Sequence, residues 1–265
     1  MLQEQIINKI LLNEPINFVL PGFPCKSSNT KTKVLGRLPD KGEELALENL
    51  NNICEEIKNI YDEGANVLIV SDGRVFSDLI NVSDEDITNY HEELKRMNLN
   101  KYVSFVNLED LMQEKNFDKL RYNLIDKYGM SLSEVKSEIK ESVDTKNLYL
   151  GLTRFMIDDL TKYESNKKFI ARCKNIALKM VQRSRAYDSL IKDKYPNHIR
   201  LSIHPHSTAN NKFGINLIGT NDNWGTPWHN VAVKTKTGKF KLVKKKFAKH
   251  LELVYENNRP SYFKE

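Results

Sequence analysis

Arg200, Ser202 and His204 alternate with Leu201 and Ile203 in the segment HIRLSIHP (198–205). Successive side chains of a strand point to opposite faces. This spacing therefore puts a guanidinium, a hydroxyl and an imidazole on one face, with two aliphatic side chains behind them. Such a face suits an anionic substrate whose protons must be moved. A structural reading of the same residues is a buried ion pair at Arg200 and a satisfied sheet histidine at His204, and spacing alone leaves the two readings level. His204 and His206, at i and i+2, are placed to chelate a metal. No third ligand stands at a recognisable spacing, so no metal site is assigned.

Two further polar clusters follow apolar runs. Pro24-Cys25-Lys26-Ser27-Ser28-Asn29 comes after NFVLPGF, and Ser71-Asp72-Gly73-Arg74 comes after NVLIV. Asp72, with Arg74 and Asp78 beside it, orients a base or binds an amine, or else caps the next helix. Spacing alone favours the cap. Trp224 and Trp228 flank Gly225-Thr226-Pro227, with His229 next. Two tryptophans in a loop wall an aromatic pocket or seal the core beneath an irregular connection, and both readings stand. No glycine-rich nucleotide fingerprint or P-loop is present, so nicotinamide and ATP roles lack support. Cys25, Cys54 and Cys173 are scattered, which fits a reducing compartment and ordinary buried thiols.

The elements that must position these residues read as follows. Residues 17–23 form a strand running into a Pro/Gly turn. Residues 42–61 form a helix with Leu45, Leu50, Ile53, Ile57 and Ile60 on its apolar side. Residues 66–73 give a buried strand and a polar turn, 84–97 a helix capped by Ser83, and 101–107 another strand. The stretch from about 108 to 193 is helical in pattern, with long amphipathic helices at 147–160 and 169–191. Strands return at 198–205, 212–219, 230–238 and 239–245, the last two joined by a Thr237-Gly238 turn. Strand–helix alternation predicts an α/β fold with a mainly parallel sheet, whose ligands bind at the carboxyl ends of strands. One continuous domain, residues 1–265, with the helical portion inserted between early and late strands, is the simplest organisation.

The chain has 265 residues, 40% of them hydrophobic and 29% charged, enough for a substantial core. No apolar run is long enough to span a bilayer, and residues 1–18 read as a short amphipathic helix rather than a signal peptide, so a cytoplasmic location is expected. The net charge of +6 favours anionic partners without identifying them. Much of the excess lies in KTKTGKFKLVKKKFAKH (234–250). Alternating lysines on a hairpin most simply protect a solvated sheet edge. The competing reading is a nucleic-acid-binding surface, with affinity that falls steeply with salt, although few aromatics interleave the lysines.

Taken together and in order, FPCKSSNTKTKVLGRLPDKGEELALENL, SDGRVFSDL, GLTRFMIDDL, RSRAYDSLI, RLSIHP and TPWHNV resemble the isocyanide (isonitrile) synthases of the pyoverdine and dityrosine biosynthesis family. The resemblance runs from about Phe18 to about Val233. It implies a Rossmann-like domain with a helical portion and no metal or nicotinamide. The implied reaction condenses an L-amino acid, of tyrosine or tryptophan type, with ribulose 5-phosphate as co-substrate, whose ketone carbon becomes the isonitrile carbon. It also implies an iron/2-oxoglutarate oxygenase as a pathway partner, and no nucleic-acid or membrane partner. Lys26, Lys33, Arg183 and Arg200 stand at motif positions and become the cations for a phosphate and an α-carboxylate, with Arg74, Ser202 and Trp228 as further substrate contacts. His204 and His229 become proton carriers, and Asp72 the acceptor for the ammonium proton. Lys26 is read as a phosphate ligand ahead of a Schiff-base lysine. Another phosphosugar-dependent transferase would keep the fold and change the chemistry. Two departures bear on substrate identity. The chain is compact with a short N-terminal element, which leaves a cover from a second subunit, and hence a homodimer, open. Cys25 stands where a larger apolar residue, as in F-P-F-K, is the family pattern.

Overall fold

The structure is a computed structural model that describes residues 2–99, 101–160, 166–205, 211–219 and 224–265. Helix α1 (Leu2–Leu11) precedes strand β1 (Ile16–Pro21), helix α2 (Lys41–Ile60) and strand β2 (Ala65–Val70). Helices α3 (Gly73–Ile80) and α4 (Asp84–Met97) lead to strand β3 (Val103–Val106). Five helices follow: α5 (Leu108–Met112), α6 (Phe117–Tyr128), α7 (Leu132–Glu141), α8 (Val143–Leu160) and α9 (Lys167–Lys194). The chain returns through β4 (Ile199–Ser202), β5 (Phe213–Gly214), a 3-10 turn (Pro227–His229), β6 (Val231–Lys234), β7 (Phe240–Val243), α10 (Lys245–Ala248), β8 (Glu252–Glu256) and β9 (Arg259–Lys264).

Two compact units result. The first comprises Met1–Ser71, Glu85–Val106 and Asn197–Glu265. It holds a five-stranded sheet of order β3-β2-β1-β4-β5, every pairing parallel, and a mixed sheet of order β7-β6-β9-β8. The fold is thus α/β as the alternation predicts, with the expected antiparallel β6–β7 hairpin. Val19, Leu20, Val67, Ile69 and Val70 are buried on the central strands, the near-continuous apolar run that a parallel sheet covered on both faces requires. The second unit, Asp72–Asp84 with Asn107–Pro196, is helical, and within it Val135, Leu178 and Val181 form an apolar cluster.

Helix α2 corrects one sequence expectation. Its buried stripe is Glu43, Ala46, Leu47, Leu50 and Cys54, whereas Ile60 is 88% exposed. Helical spacing is kept, but the inward face is one position round from the large aliphatics. Small Ala46 and Cys54 let the helix approach the sheet closely. Burying Leu47 and Leu50 contributes about 1.5–3 kcal/mol each.

The 198–205 and 212–219 strands are shorter than expected, and His204 lies beyond the end of β4. The terminal β8–β9 hairpin goes unmarked by pattern, because β8 is mostly exposed and shows no clean alternation. Its two-residue turn, Asn257-Asn258, has both φ values positive, at 50° and 60°, as a twist-matched hairpin turn requires. The lysine-rich segment runs from the end of β6 through the turn and the edge strand β7 into α10. Lys241 on β7 pairs with Glu265 at 2.6 Å. Among the described residues no helix is long and apolar enough to cross a membrane.

Candidate active site

The order β3-β2-β1-β4-β5 reverses direction at β1, so the switch point lies between the carboxyl ends of β1 and β4. That is where open α/β sheets bind ligands. Phe18 and Val19 of β1 pair with Ile199 and Arg200 of β4. Beyond β1 the chain passes through Gly22, where an added Cβ would meet the Trp228 ring at 3.3 Å, so a larger residue would require the ring to give by a few tenths of an ångström. Phe23 then takes a φ of +51°. A bulky residue in the left-handed region is strained by about 1–2 kcal/mol and needs its surroundings to hold it. They do. The buried Phe23 ring lies 5.1 Å from that of Trp228. Its carbonyl accepts from His91 Nε2 at 3.0 Å and from Ser71 Oγ at 3.4 Å. Ser71 Oγ and His91 Nε2 are themselves 2.7 Å apart. Because one imidazole nitrogen faces both oxygens, the consistent assignment is a proton on Nε2 shared between them. Sequence reasoning missed His91, a single histidine on α4 twenty residues from Ser71.

The strained bend turns the chain into the Lys26 loop. Lys26 is buried, with its ammonium 2.8 Å from Asp40 Oδ2, 2.7 Å from Glu43 Oε2 and 3.1 Å from the carbonyl oxygen of Pro227. Asp40 and Glu43 also close a capping box on α2. Asp40 Oδ1 accepts from Gly42 N–H and Glu43 Oε2 accepts from Asp40 N–H. Tyr90 donates its hydroxyl to Glu43 Oε1 at 3.1 Å. Burial alone would lower the Lys26 pKa, but the two carboxylates outweigh it and hold it above the ordinary lysine value. Burial pushes the Glu43 carboxyl up to about 7 against the pull of Lys26, with Asp40 adding repulsion. Burial and Glu43 together hold the Tyr90 phenol well above its usual value, so it remains a donor.

Glu43 makes stability depend on pH. Its folded pKa of about 7 exceeds the ordinary value of 4.5, so the folded state binds more protons between these values. The contribution is therefore fully present below about pH 4.5 and is lost as pH rises through 7, on the order of 3 kcal/mol in all. In Glu43→Gln, thermal unfolding between pH 5 and 8 will lose this slope, while the amide oxygen still accepts from Asp40 N–H and Lys26. Superimposable pH profiles for the two proteins would refute the assignment.

Arg200 and Ser202 share one face of β4, and the guanidinium Nε and Nη1 are buried. His204 is exposed, and its backbone N–H donates to Ser202 Oγ at 3.2 Å. His206 lies outside the described residues. Lys33 is buried in a turn whose shape is set by Asn29: Thr32 N–H donates to Asn29 Oδ1 and Lys33 N–H to Asn29 O. The first N–H groups of α10 clamp the same turn, Lys245 onto the Lys33 carbonyl and Lys246 onto that of Thr32. Trp228, only 2% exposed, belongs to the core with Phe23, whereas Trp224 is exposed. Of the two readings of this loop, the core seal describes Trp228. His229 Nδ1 lies 3.2 Å from Thr226 Oγ1, which fixes the ring.

In the second unit Asp72 occupies the N-cap position of α3, yet its side chain makes no capping bond, so the cap reading does not account for it. Arg74 Nε donates to Glu109 at 3.2 Å, Nη1 donates to Asp84, and the guanidinium lies 3.8 Å over the Phe117 ring. Arg183 makes a two-pronged pair with Asp78 and donates to the Val75 carbonyl at 2.8 Å. Burial alone would raise the Asp78 carboxyl, but the Arg183 and Arg121 guanidiniums outweigh it and hold it low. Arg121 joins the same network through Asp84, Asp118 and Ser77. Within this unit the Arg74 and Arg183 side chains tie α3 to α5, α6 and α9. Cys25, Cys54 and Cys173 are free and buried, as expected.

The family model for pyoverdine/dityrosine biosynthesis proteins matches residues 6–254. An L-tryptophan isonitrile synthase from Fischerella ambigua is 42% identical over 264 residues, which cover 95% of this chain and 78% of the relative. An L-tyrosine isonitrile synthase from Pseudomonas aeruginosa is 40% identical over 263 residues, covering 95% and 80%. The crystal structure of the PvcA protein from Pseudomonas aeruginosa matches with a TM-score of 0.93 and 38% identity, over 98% of this chain and 89% of that one. The chain belongs to the pyoverdine/dityrosine biosynthesis family and groups with its isonitrile synthases.

Proposed function

We propose that the protein converts the amino group of an L-amino acid, of tryptophan or tyrosine type, to an isocyanide, with ribulose 5-phosphate supplying the carbon. The observation that carries this reading is the 42% identity with an L-tryptophan isonitrile synthase across 95% of the chain. The amine condenses with the sugar's ketone with loss of water, and later proton transfers rearrange and fragment the imine. Arg200, with Lys33, supplies positive charge for the phosphate and carboxylate, and burial of the guanidinium strengthens that attraction. Ser202 holds the backbone that carries His204. His204 and His229 are the proton carriers, since imidazoles titrate near working pH. The sequence contains no nucleotide fingerprint, and the reaction is read as needing no nicotinamide.

Purified protein incubated with ribulose 5-phosphate and a panel of amino acids, including tryptophan and tyrosine, will yield an isonitrile by mass spectrometry and release phosphate. A panel that gives neither product would reject the reading. His204→Ala will lose most of the turnover with the fold intact, and near-normal turnover would remove His204 from the mechanism.

A further inference from the structure

A lysine ammonium has three N–H donors. Those of Lys26 meet Asp40 Oδ2 at 2.8 Å, Glu43 Oε2 at 2.7 Å and the Pro227 carbonyl at 3.1 Å. The next residue adds another tie, as Ser27 N–H donates to the Trp228 carbonyl at 2.9 Å. Consecutive residues of the Lys26 loop therefore grip consecutive residues of the Pro227–His229 turn. The first turn of α2 presses on the same turn from Gly42, where a Cβ would stand 3.1 Å from that of Pro227. His229 leaves this turn with its backbone N–H donating to the Thr226 carbonyl and its Nδ1 against Thr226 Oγ1.

The geometry points to Lys26 as a positioning residue: the Lys26–Asp40–Glu43 knot sets the Pro227–His229 turn, and through it the imidazole of His229, while Lys26 touches neither substrate. The proposal deepens the isonitrile-synthase reading and relies on it only for the identity of the substrates. It replaces both roles that the sequence offered for Lys26. A phosphate would have to displace one of two buried carboxylates. A Schiff base would require a neutral amine, and two carboxylates keep this one charged.

Two variants test it. Lys26→Arg keeps the charge but cannot reproduce the three contacts. Gly42→Ala keeps the Lys26 side chain and puts a Cβ 3.1 Å from that of Pro227 and 3.3 Å from Asp40 Oδ1, so the contact between the knot and the turn must give by a few tenths of an ångström. The first readout needs no substrate: histidine NMR titration, with His229 assigned by His229→Gln. Both variants will shift the His229 titration by about half a pKa unit or more. The second readout is kinetic: both will lower kcat, Gly42→Ala about threefold to tenfold, with KM for ribulose 5-phosphate within about twofold of normal. Borohydride added during turnover will leave no sugar adduct on the Lys26 peptide. An unmoved His229 titration in folded Gly42→Ala, a raised KM for ribulose 5-phosphate confined to Lys26→Arg, or a reduced adduct on Lys26 would each overturn the proposal. If Lys26→Arg does not fold, Gly42→Ala decides alone. If the wild-type protein makes no isonitrile, the isonitrile reading fails while the titration still decides the positioning claim.

Discussion

Arg200→Ala will lower kcat/KM about a hundredfold and leave the unfolding temperature within a few degrees of wild type. The size follows from the interaction removed. A charge-assisted hydrogen bond to an anionic substrate contributes about 1.5–3 kcal/mol, and each 1.36 kcal/mol is about tenfold in rate. The upper end applies because the guanidinium Nε and Nη1 are buried. Fold stability is spared because the hydrophobic contribution of β4 comes from Ile199 and Leu201 on its other face, both buried. Arg200→Lys will recover only part of the loss, since an ammonium cannot offer the two-pronged fork. Steady-state kinetics with separate KM values for the two substrates, beside thermal unfolding, check the prediction. Unchanged kinetics, or a collapse of the fold with no specific kinetic loss, would make Arg200 a structural residue.

Lys26→Met has the largest expected effect on stability, about 3–5 kcal/mol, because it leaves Asp40 and Glu43 buried together with no cation between them. That is a large share of the 5–15 kcal/mol by which domains are stable. The loss comes from the charge left behind rather than from the pair itself. The triple variant Lys26→Met/Asp40→Asn/Glu43→Gln will therefore regain most of it. Urea unfolding of the two proteins beside wild type measures both numbers. A single variant as stable as wild type would mean that the knot is not the buried ion cluster described.

How much of this was legible in the sequence depends on the range of the signal. The apolar run at 66–70, the helix at Asp84–Met97 and the Gly238 turn, with its φ of +82°, each carry their cause within a few residues. The inward face of α2 was less legible, since Ala46 and Cys54 are buried for their small size while Ile60 points outward. The strands β5 and β8 are short or exposed, and pairing defines them more than side-chain pattern does. For the site, alternation placed Arg200 and Ser202 correctly on one face of β4, but could not show that the strand ends before His204. Of the four residues expected as cations, Lys26 and Arg183 pair with carboxylates, as does Arg74, expected as a further substrate contact. Those partners lie 14 residues away for Asp40 and 105 for Asp78, beyond the reach of any local pattern. The Ser71–His91 contact, which holds the strained Phe23, is invisible for the same reason.

The central claim is that this chain builds an isonitrile from an amino acid's nitrogen and a sugar's ketone carbon. Its most direct test is incubation with ribulose 5-phosphate carrying carbon-13 only at that ketone position, together with the amino acid that turns over. The account predicts a product whose isonitrile carbon, resolved by NMR, carries the label in full. An unlabelled isonitrile carbon, or label recovered only in unchanged sugar phosphate, would contradict it.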